Sequence, residues 1–340
     1  MAGSLRMGVI GIDHGHIYGM VDHMRAAGVE LAAWCTGSGT PQADRRMAAE
    51  KWPGVPEREQ AAILEDESIS LILSASVSSE RANAAIAAME HGKDVLVDKP
   101  GCTSLEQLEA LKATAVRTGR RWIVSFSERV GVESTALADR LIGEGRIGKV
   151  VQTVGFGPHR LNAHLRPDWF WSREQTGGIL TDICAHQFDQ FLHFTGSTEA
   201  RVVSAHVGNT ANPDRPEFQD FGEALLEGNG GRGYARVDWL TPHGLPVWGD
   251  GRMMILGTEG TIEMRKYIDI AGRPGGNHVF LADSTGVEHF DATGSGRPFY
   301  SALARDVAER TETAMTQAHA FLATGLALQA QRIAELECGR

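Results

Sequence analysis

Three short segments carry side chains whose types and spacing could do chemistry. The first is GGILTDICAHQFDQFLH, Gly177–His193, which reads as one long helix running to Phe194. Asp182 and His186 are four apart and would share a helix face, with Asp189 and His193 one and two turns further on. A histidine beside a carboxylate can be oriented and tuned as a general base. The same spacing also suits a polar stripe on a half-buried helix, or an Asp–His metal pair. Glycines at the helix start would let a ligand or a neighbouring backbone come close. The second segment is Asp98-Lys99-Pro100, after the apolar run DVLVD. Proline biases Lys99 away from helix, so its ammonium would be held at a strand end. There it can stabilise a developing alkoxide or donate a proton; a surface lysine before a turn is the plainer reading.

The third segment is GVIGIDHGH, Gly8–His16, a strand-to-helix turn of the kind that meets a dinucleotide pyrophosphate at free helix amides. Counted from Gly11, the G-x-G-x-x-G spacing needs glycines at 13 and 16. Asp13 and His16 stand there, with His14 and Gly15 between them and Ile17 following. The turn reads three ways: a phosphate site by position, a helix capped by Asp13, or a metal site from Asp13, His14 and His16. Three neighbouring ligand types without a remote partner rarely close a site, so no metal is expected.

Two loops complete the candidates. The second strand ends Trp34-Cys35-Thr36-Gly37-Ser38-Gly39-Thr40, without the acid that takes an NAD ribose 2′-hydroxyl. Thr36, Gly37 and Ser38 could accept a ribose or make room for a 2′-phosphate, with Arg45 or Arg46 as partners; an ordinary polar loop is the alternative. The loop Gly157–Glu174 gathers His159, Arg160, Arg166, Trp169 and Trp171. That mixture suits a polyhydroxylated ligand, which offers CH faces and hydroxyls, and equally suits a staple packing the loop onto the core.

The elements that must position these groups follow from periodicity. Apolar runs at Arg6–Ile12, Val29–Cys35, Ile69–Ala75, Asp94–Asp98 and Arg121–Ser127 alternate with helical stretches. Such alternation means crossover connections and a parallel sheet covered on both faces, with ligands beyond its carboxyl ends. After a helix at Glu133–Gly143 and a strand at Lys149–Gly157, short alternating runs from Ala200 to Phe290 read as antiparallel strands. Helices resume at Tyr300–Thr311 and Thr313–Leu336. The fold class is α/β: a doubly wound parallel sheet over 1–127, then an α+β domain over 128–340 with an open, mainly antiparallel sheet. The C-terminal helices are placed to pack back on the first domain.

The 340 residues suit two domains at roughly 100–200 each. With 33 basic and 43 acidic residues, the formal charge of −10 argues against nucleic acid or an anionic membrane as partner. No apolar run approaches the ~20 residues of a bilayer span. The opening is not ordered like a signal peptide, and Met1–Leu5 reads as a frayed terminus or an expression scar. Cys35, Cys102, Cys184 and Cys338 are far apart, with no CxxC pair, so neither a disulfide framework nor a thiolate zinc site is indicated. A cytoplasmic protein is expected.

Taken together, VIG at the first turn, A-I-A-A-M-E-H-G-K-D-V-L-V-D-K-P from Ala85 to Pro100, and G-G-I-L-T-D-I-C-A-H from Gly177 to His186 resemble the Gfo/Idh/MocA oxidoreductase family. The resemblance covers nearly the whole chain. It implies a Rossmann domain followed by a substrate-binding α+β domain, and catalysis by Lys99, Asp182 and His186. It implies NAD or NADP as cofactor, held by Gly11, Asp13, His14, Gly15, His16, Ile17, Thr36, Gly37, Ser38, Ala75, Ser76, Val77, Arg81, Asp98 and Lys99. Substrate would meet Lys99, His159, Arg160, Trp169, Trp171, Asp182 and His186. The implied reaction moves hydride between the nicotinamide and a secondary alcohol of a sugar, cyclitol or related polyol. A redox-neutral lyase, epimerase or glycosidase on the same fold, and a non-catalytic nucleotide sensor, stay open. A homodimer or homotetramer through the C-terminal sheet is also implied. The sequence departs from the family at the glycine turn, at the missing second-strand acid, and after the third strand. There Val77-Ser78 and Arg81 replace the usual proline-asparagine pair and later histidine.

Overall fold

The computed structural model describes residues 5–338, so Met1–Ser4 of the expected frayed segment lie outside the described residues. The chain divides into two compact units. The first runs to Ser125 and takes in Pro167–Gly177 and Pro298–Phe321. Its sheet is β1 (Arg6–Ile10), β2 (Glu30–Cys35), β3 (Leu71–Ser74), β4 (Asp94–Asp98) and β5 (Trp122–Ser125). The strands pair in parallel in the order β2-β1-β3-β4-β5. Every residue of β3, β4 and β5 is buried, as the continuous apolar runs require of strands covered on both faces.

Helices α1 (His16–Ala26), α2 (Gln42–Lys51), α3 (Gln60–Glu65), α4 (Arg81–Glu90) and α5 (Leu105–Thr118) make the crossovers. The bounds of α5 are written in its sequence: the Ser104 hydroxyl accepts from the Gln107 amide at 3.2 Å, and Gly119 closes it at φ 65°. The strand order reverses between β1 and β3, the switch point at whose carboxyl ends doubly wound sheets bind ligands.

The second unit comprises Phe126–Arg166, Gly178–Arg297 and the chain from Leu322. It begins with α6 (Ser127–Val130) and α7 (Glu133–Gly143). Its sheet is built from β6 (Val150–Pro158), β7 (Ala200–Gly208), β8 (Phe221–Gly228), β9 (Arg232–Asp238), β10 (Arg252–Gly257), β11 (Gly260–Arg265), β12 (His278–Asp283) and β13 (Gly286–Asp291). The order is β13-β12-β11-β10-β6-β9-β8-β7, antiparallel except for the parallel pair β6–β9. Leu137, Ala138 and Leu141 of α7 pack into one buried cluster with Met253, Ile255, Ile262, Met264, Val279 and Leu281 of the sheet. The chain thus has the expected α/β architecture of a Rossmann sheet and an open, mainly antiparallel sheet.

Short helices α8 (Arg173–Thr176) and α9 (Ile179–Asp182) precede α10 (Ala185–Thr195), and α11 (Pro298–Glu309) and α12 (Gln317–Cys338) end the chain. The expected single helix over 177–194 is therefore two. The Asp182 amide still bonds to Gly178 O and Ile183 to Ile179 O, but the Cys184 amide reaches back to Ile179 O and His186 to Ile183 O. The i,i+4 argument for Asp182 and His186 falls with that break.

Candidate active site

In the first unit, the β1–α1 turn is fixed by Gly11. Its φ is 81°, and a Cβ there would collide with Ser76 Oγ, so the glycine lets the ends of β1 and β3 close up. The Ser76 hydroxyl donates to Ile10 O, and Ala75 N–H to Gly11 O. Asp13 does not cap the helix. The N-cap is Gly15, with no side-chain cap, and nothing would touch a Cβ on it within 4 Å. Asp13 is buried instead in the corner between the ends of β1, β2 and β3. Its Oδ1 accepts the Thr40 hydroxyl at 2.6 Å and its Oδ2 the Val77 amide at 3.2 Å. A Cβ on Gly37 would strike that carboxylate. Burial pushes the Asp13 carboxyl up, against the hydrogen bonds from Thr40 and Val77.

These residues fit a dinucleotide. Gly15 leaves the backbone of the turn approachable, and the first turn of the eleven-residue helix has no side-chain cap, as a phosphate site at a helix N-terminus requires. No acid stands at the end of β2, and the carboxylate beside Gly37 there is Asp13, which arrives from the first turn. Thr36 and Gly37 are half-buried beside it, Ser38 is exposed and bonds Glu80 at 2.5 Å, and Ile17 is buried in α1.

Asp98, at the end of β4, is the centre of a second cluster. His14 Nδ1 lies 2.7 Å from its Oδ2 and His16 Nδ1 3.0 Å from its Oδ1. Arg81 pairs with Oδ2 at 3.3 Å, and the Lys99 amide donates to Oδ1 at 2.8 Å. Burial opposes the Asp98 charge, but His16, Arg81 and His14 together hold its carboxyl well below the usual range. Burial and the neighbouring His16 push His14 down to about 4. Arg81, only 1% exposed, donates to Ser76 O at 2.8 Å, to Asp98 O and Pro100 O, and to Lys99 O. Arg81 therefore sits inside the unit, clamping the main chain on both sides of Lys99. Lys99 is buried, and its peptide bond to Pro100 is cis.

In the second unit, His186 is buried near the start of α10 and Asp182 is half-buried at the end of α9. The Asp182 charge acts on Arg166, which burial pushes down. Asp189 and His193 have other duties: Asp189 takes a two-pronged ion pair from Arg129 at 2.6 and 2.7 Å, and His193 meets Asp139 at 2.7 Å. Beside His186 lies a group that sequence reasoning missed. Glu128 of α6 accepts Lys266 Nζ at 2.7 Å and Gln187 Nε2 at 2.9 Å. Burial opposes the Glu128 charge, but Lys266, His186 and His159 pull its carboxyl down to about 2.

The aromatic and basic loop divides. His159 bonds Gly157 O at 3.0 Å and packs against Trp239 and Trp248. Arg160 donates to Pro242 O, Leu245 O and Val247 O, holding the 242–247 loop. Both belong to the second unit. Trp169 and Trp171 belong to the first, where Trp169 packs over Gly39 beyond the end of β2, and both meet Phe170 edge-to-face.

Residues 5–126 match the oxidoreductase family of NAD-binding Rossmann fold, and residues 135–263 match the GFO/IDH/MocA C-terminal domain. The chain belongs to the GFO/IDH/MocA oxidoreductase family. It is similar to scyllo-inositol 2-dehydrogenase (NAD(+)) of Bacillus subtilis, 30% identical over 224 residues, 65% of this chain and 61% of that protein. Levoglucosan dehydrogenase of Pseudarthrobacter phenanthrenivorans is 29% identical over 174 residues, 50% of this chain and 44% of that protein. The matched stretches thus span less than two thirds of these curated relatives. An oxidoreductase crystal structure from Erwinia carotovora atroseptica is 45% identical with a TM-score of 0.93, covering 97% of this chain and 98% of that one. A levoglucosan dehydrogenase in complex with NADH and levoglucosan shares the fold at 18% identity, with a TM-score of 0.81 over 98% of each chain. Among the described residues, no helix is long and apolar enough to cross a membrane.

Proposed function

We propose that the chain is an NAD(P)-dependent dehydrogenase or reductase acting on a secondary alcohol of a sugar, cyclitol or related polyol. The observation that carries this reading is the clamp on Asp98-Lys99-Pro100. Arg81 and the Asp98 carboxylate fix the backbone on both sides of Lys99, at the carboxyl end of β4 in a sheet of an NAD-binding family. When bound, the nicotinamide supplies the hydride acceptor or donor. Lys99 hydrogen-bonds the substrate oxygen as negative charge develops. His186 takes the hydroxyl proton. Asp182 holds a neighbouring substrate hydroxyl or His186. The second-unit loop with His159 and Arg160 contributes to substrate selection, as do Trp169, beside Gly39, and Trp171, against Phe170.

The test begins with fluorescence titration by NADH and NADPH, followed by a polyol screen read at the reduced-nicotinamide band. His186→Asn should lower turnover roughly 10²–10⁴-fold, and Lys99→Ala on the order of 10²–10³-fold. Neither should change NADH binding more than a few-fold. Near wild-type turnover by the His186 variant would remove it from the chemistry, and product formation without accumulating NAD(P)H would favour a redox-neutral reaction.

A further inference from the structure

We propose that His14, His16 and Asp98 form a site for one divalent transition-metal cation. The local sequence offered Asp13, His14 and His16 as ligand types and lacked a remote partner. The fold changes both facts. Asp13 turns away to Thr40 and Val77, and Asp98 arrives from the end of β4, 84 residues beyond His14. One ligand atom from each of the three residues lies within 4.8 Å of the others. The two imidazoles address different oxygens of one carboxylate, at 2.7 and 3.0 Å. Metal bonds of about 2.1 Å at right angles put neighbouring ligand atoms about 3 Å apart, so the spacing already approximates a coordination edge.

A cation on this edge would take both Asp98 oxygens and one Nδ1 from each side. It would replace the two His–Asp contacts, leaving each imidazole proton on Nε2. Nitrogen and carboxylate ligands select zinc, cobalt, nickel or iron over calcium. The carboxylate is fully buried, whereas the side chains of His14 and His16 are 26% and 39% exposed, which leaves an entry path. The Arg81 guanidinium and the amide of Lys99 contact Asp98 as well, and so orient the carboxylate from outside the ligand set. With one carboxylate against a double positive charge, the remaining coordination positions favour an anionic oxygen ligand such as hydroxide or phosphate. The site does not depend on the hydride-transfer reading, because it is tested with metal alone.

The full-length protein, stripped with a chelator and exchanged into chelator-free buffer, is titrated with Co²⁺ under visible absorption and with Zn²⁺ by calorimetry. The expected result is one equivalent of either ion, with ligand-field bands for Co²⁺. His14→Gln and His16→Gln should each weaken binding at least about tenfold, since even outer-shell losses cost that much. The double variant should abolish the bands, while His193→Gln, at a distant Asp139 pair, should leave them unchanged. Both varied histidines are partly exposed, and circular dichroism checks their folding; Asp98 is left intact because burial makes it a folding risk. No saturable binding by the wild-type protein, or binding that survives in the double variant, overturns the proposal. Neither outcome bears on NADH affinity, which reads the proposed dehydrogenase separately.

Discussion

Replacing Lys266 by methionine isolates the ion pair that sits beside His186. The Lys266 side chain is fully buried and that of Glu128 is 2% exposed, so water cannot substitute for the lost ammonium. Glu128 would keep Gln187 as a hydrogen-bond donor, but a buried carboxylate that has lost its ammonium partner is poorly compensated. Removing one member of such a pair costs about 3–5 kcal/mol. The whole set of neighbours, Lys266 first and then His186 and His159, lowers Glu128 from 4.5 to about 2 against burial, about 3 kcal/mol of preference for its charged form. Because the folded-state value lies below the unfolded one, that stabilisation is present above pH about 4.5 and is lost as pH falls towards about 2. Urea unfolding should therefore show Lys266→Met weakened by about 3 kcal/mol at pH 7 and by much less near pH 3. Glu128→Gln/Lys266→Met removes both charges and should recover most of the loss at neutral pH. A double variant as unstable as the single one, or a loss that does not change with pH, would show that packing, not charge, explains the effect.

Asp13→Asn should raise NADPH affinity relative to NADH at least about tenfold, about 1.4 kcal/mol, by removing the negative charge beside Gly37; an unchanged ratio in paired fluorescence titrations would take Asp13 out of ribose selection. The oligomer is expected to form through the sheet of the second unit, where Met254 is 44% and Leu256 48% exposed on one face of β10 and Met254 pairs with Val154. Met254→Lys/Leu256→Glu should then reduce the mass seen by light scattering to the monomer, and a wild-type protein that is already monomeric would refute the expectation.

Much of the frame is visible in the sequence because local signals suffice for it. The run LILS can only be a central strand once helices flank it, and Ser104 and Gly119 mark both ends of α5. The break between α9 and α10 has no such signal, since neither glycine nor proline stands at Ile183-Cys184. Distant side chains impose it: the amides of Ile179 and Leu180 donate to Gln219 and Gln331, which set the axis of α9 independently of α10. The Glu128–Lys266 pair was equally hidden, with its members 138 residues apart on a four-residue helix and beyond the end of a strand. Arg81, expected among the cofactor contacts, clamps the main chain around Lys99, because its acceptors include main-chain oxygens that no sequence pattern displays.

The altered glycine turn is where local reading and structure differ most in meaning. Taken by itself, the loss of two glycines suggests a nucleotide site in decay and favours a protein that no longer turns over. Decay would leave buried polar groups unsatisfied, at about 1–3 kcal/mol each. The opposite holds at this turn. Asp13 has the Thr40 hydroxyl and the Val77 amide, and His14 and His16 share Asp98, which is itself oriented by Arg81 and the Lys99 amide. Gly37 gives the Asp13 carboxylate room that any side chain would take. Each departure is thus matched by a residue on a different strand end, β2, β3 or β4, and the last of these carries Lys99 next to it. A turn so completely partnered is not one whose polar groups have been left unsatisfied, and its altered sequence alone does not argue for a protein without catalysis.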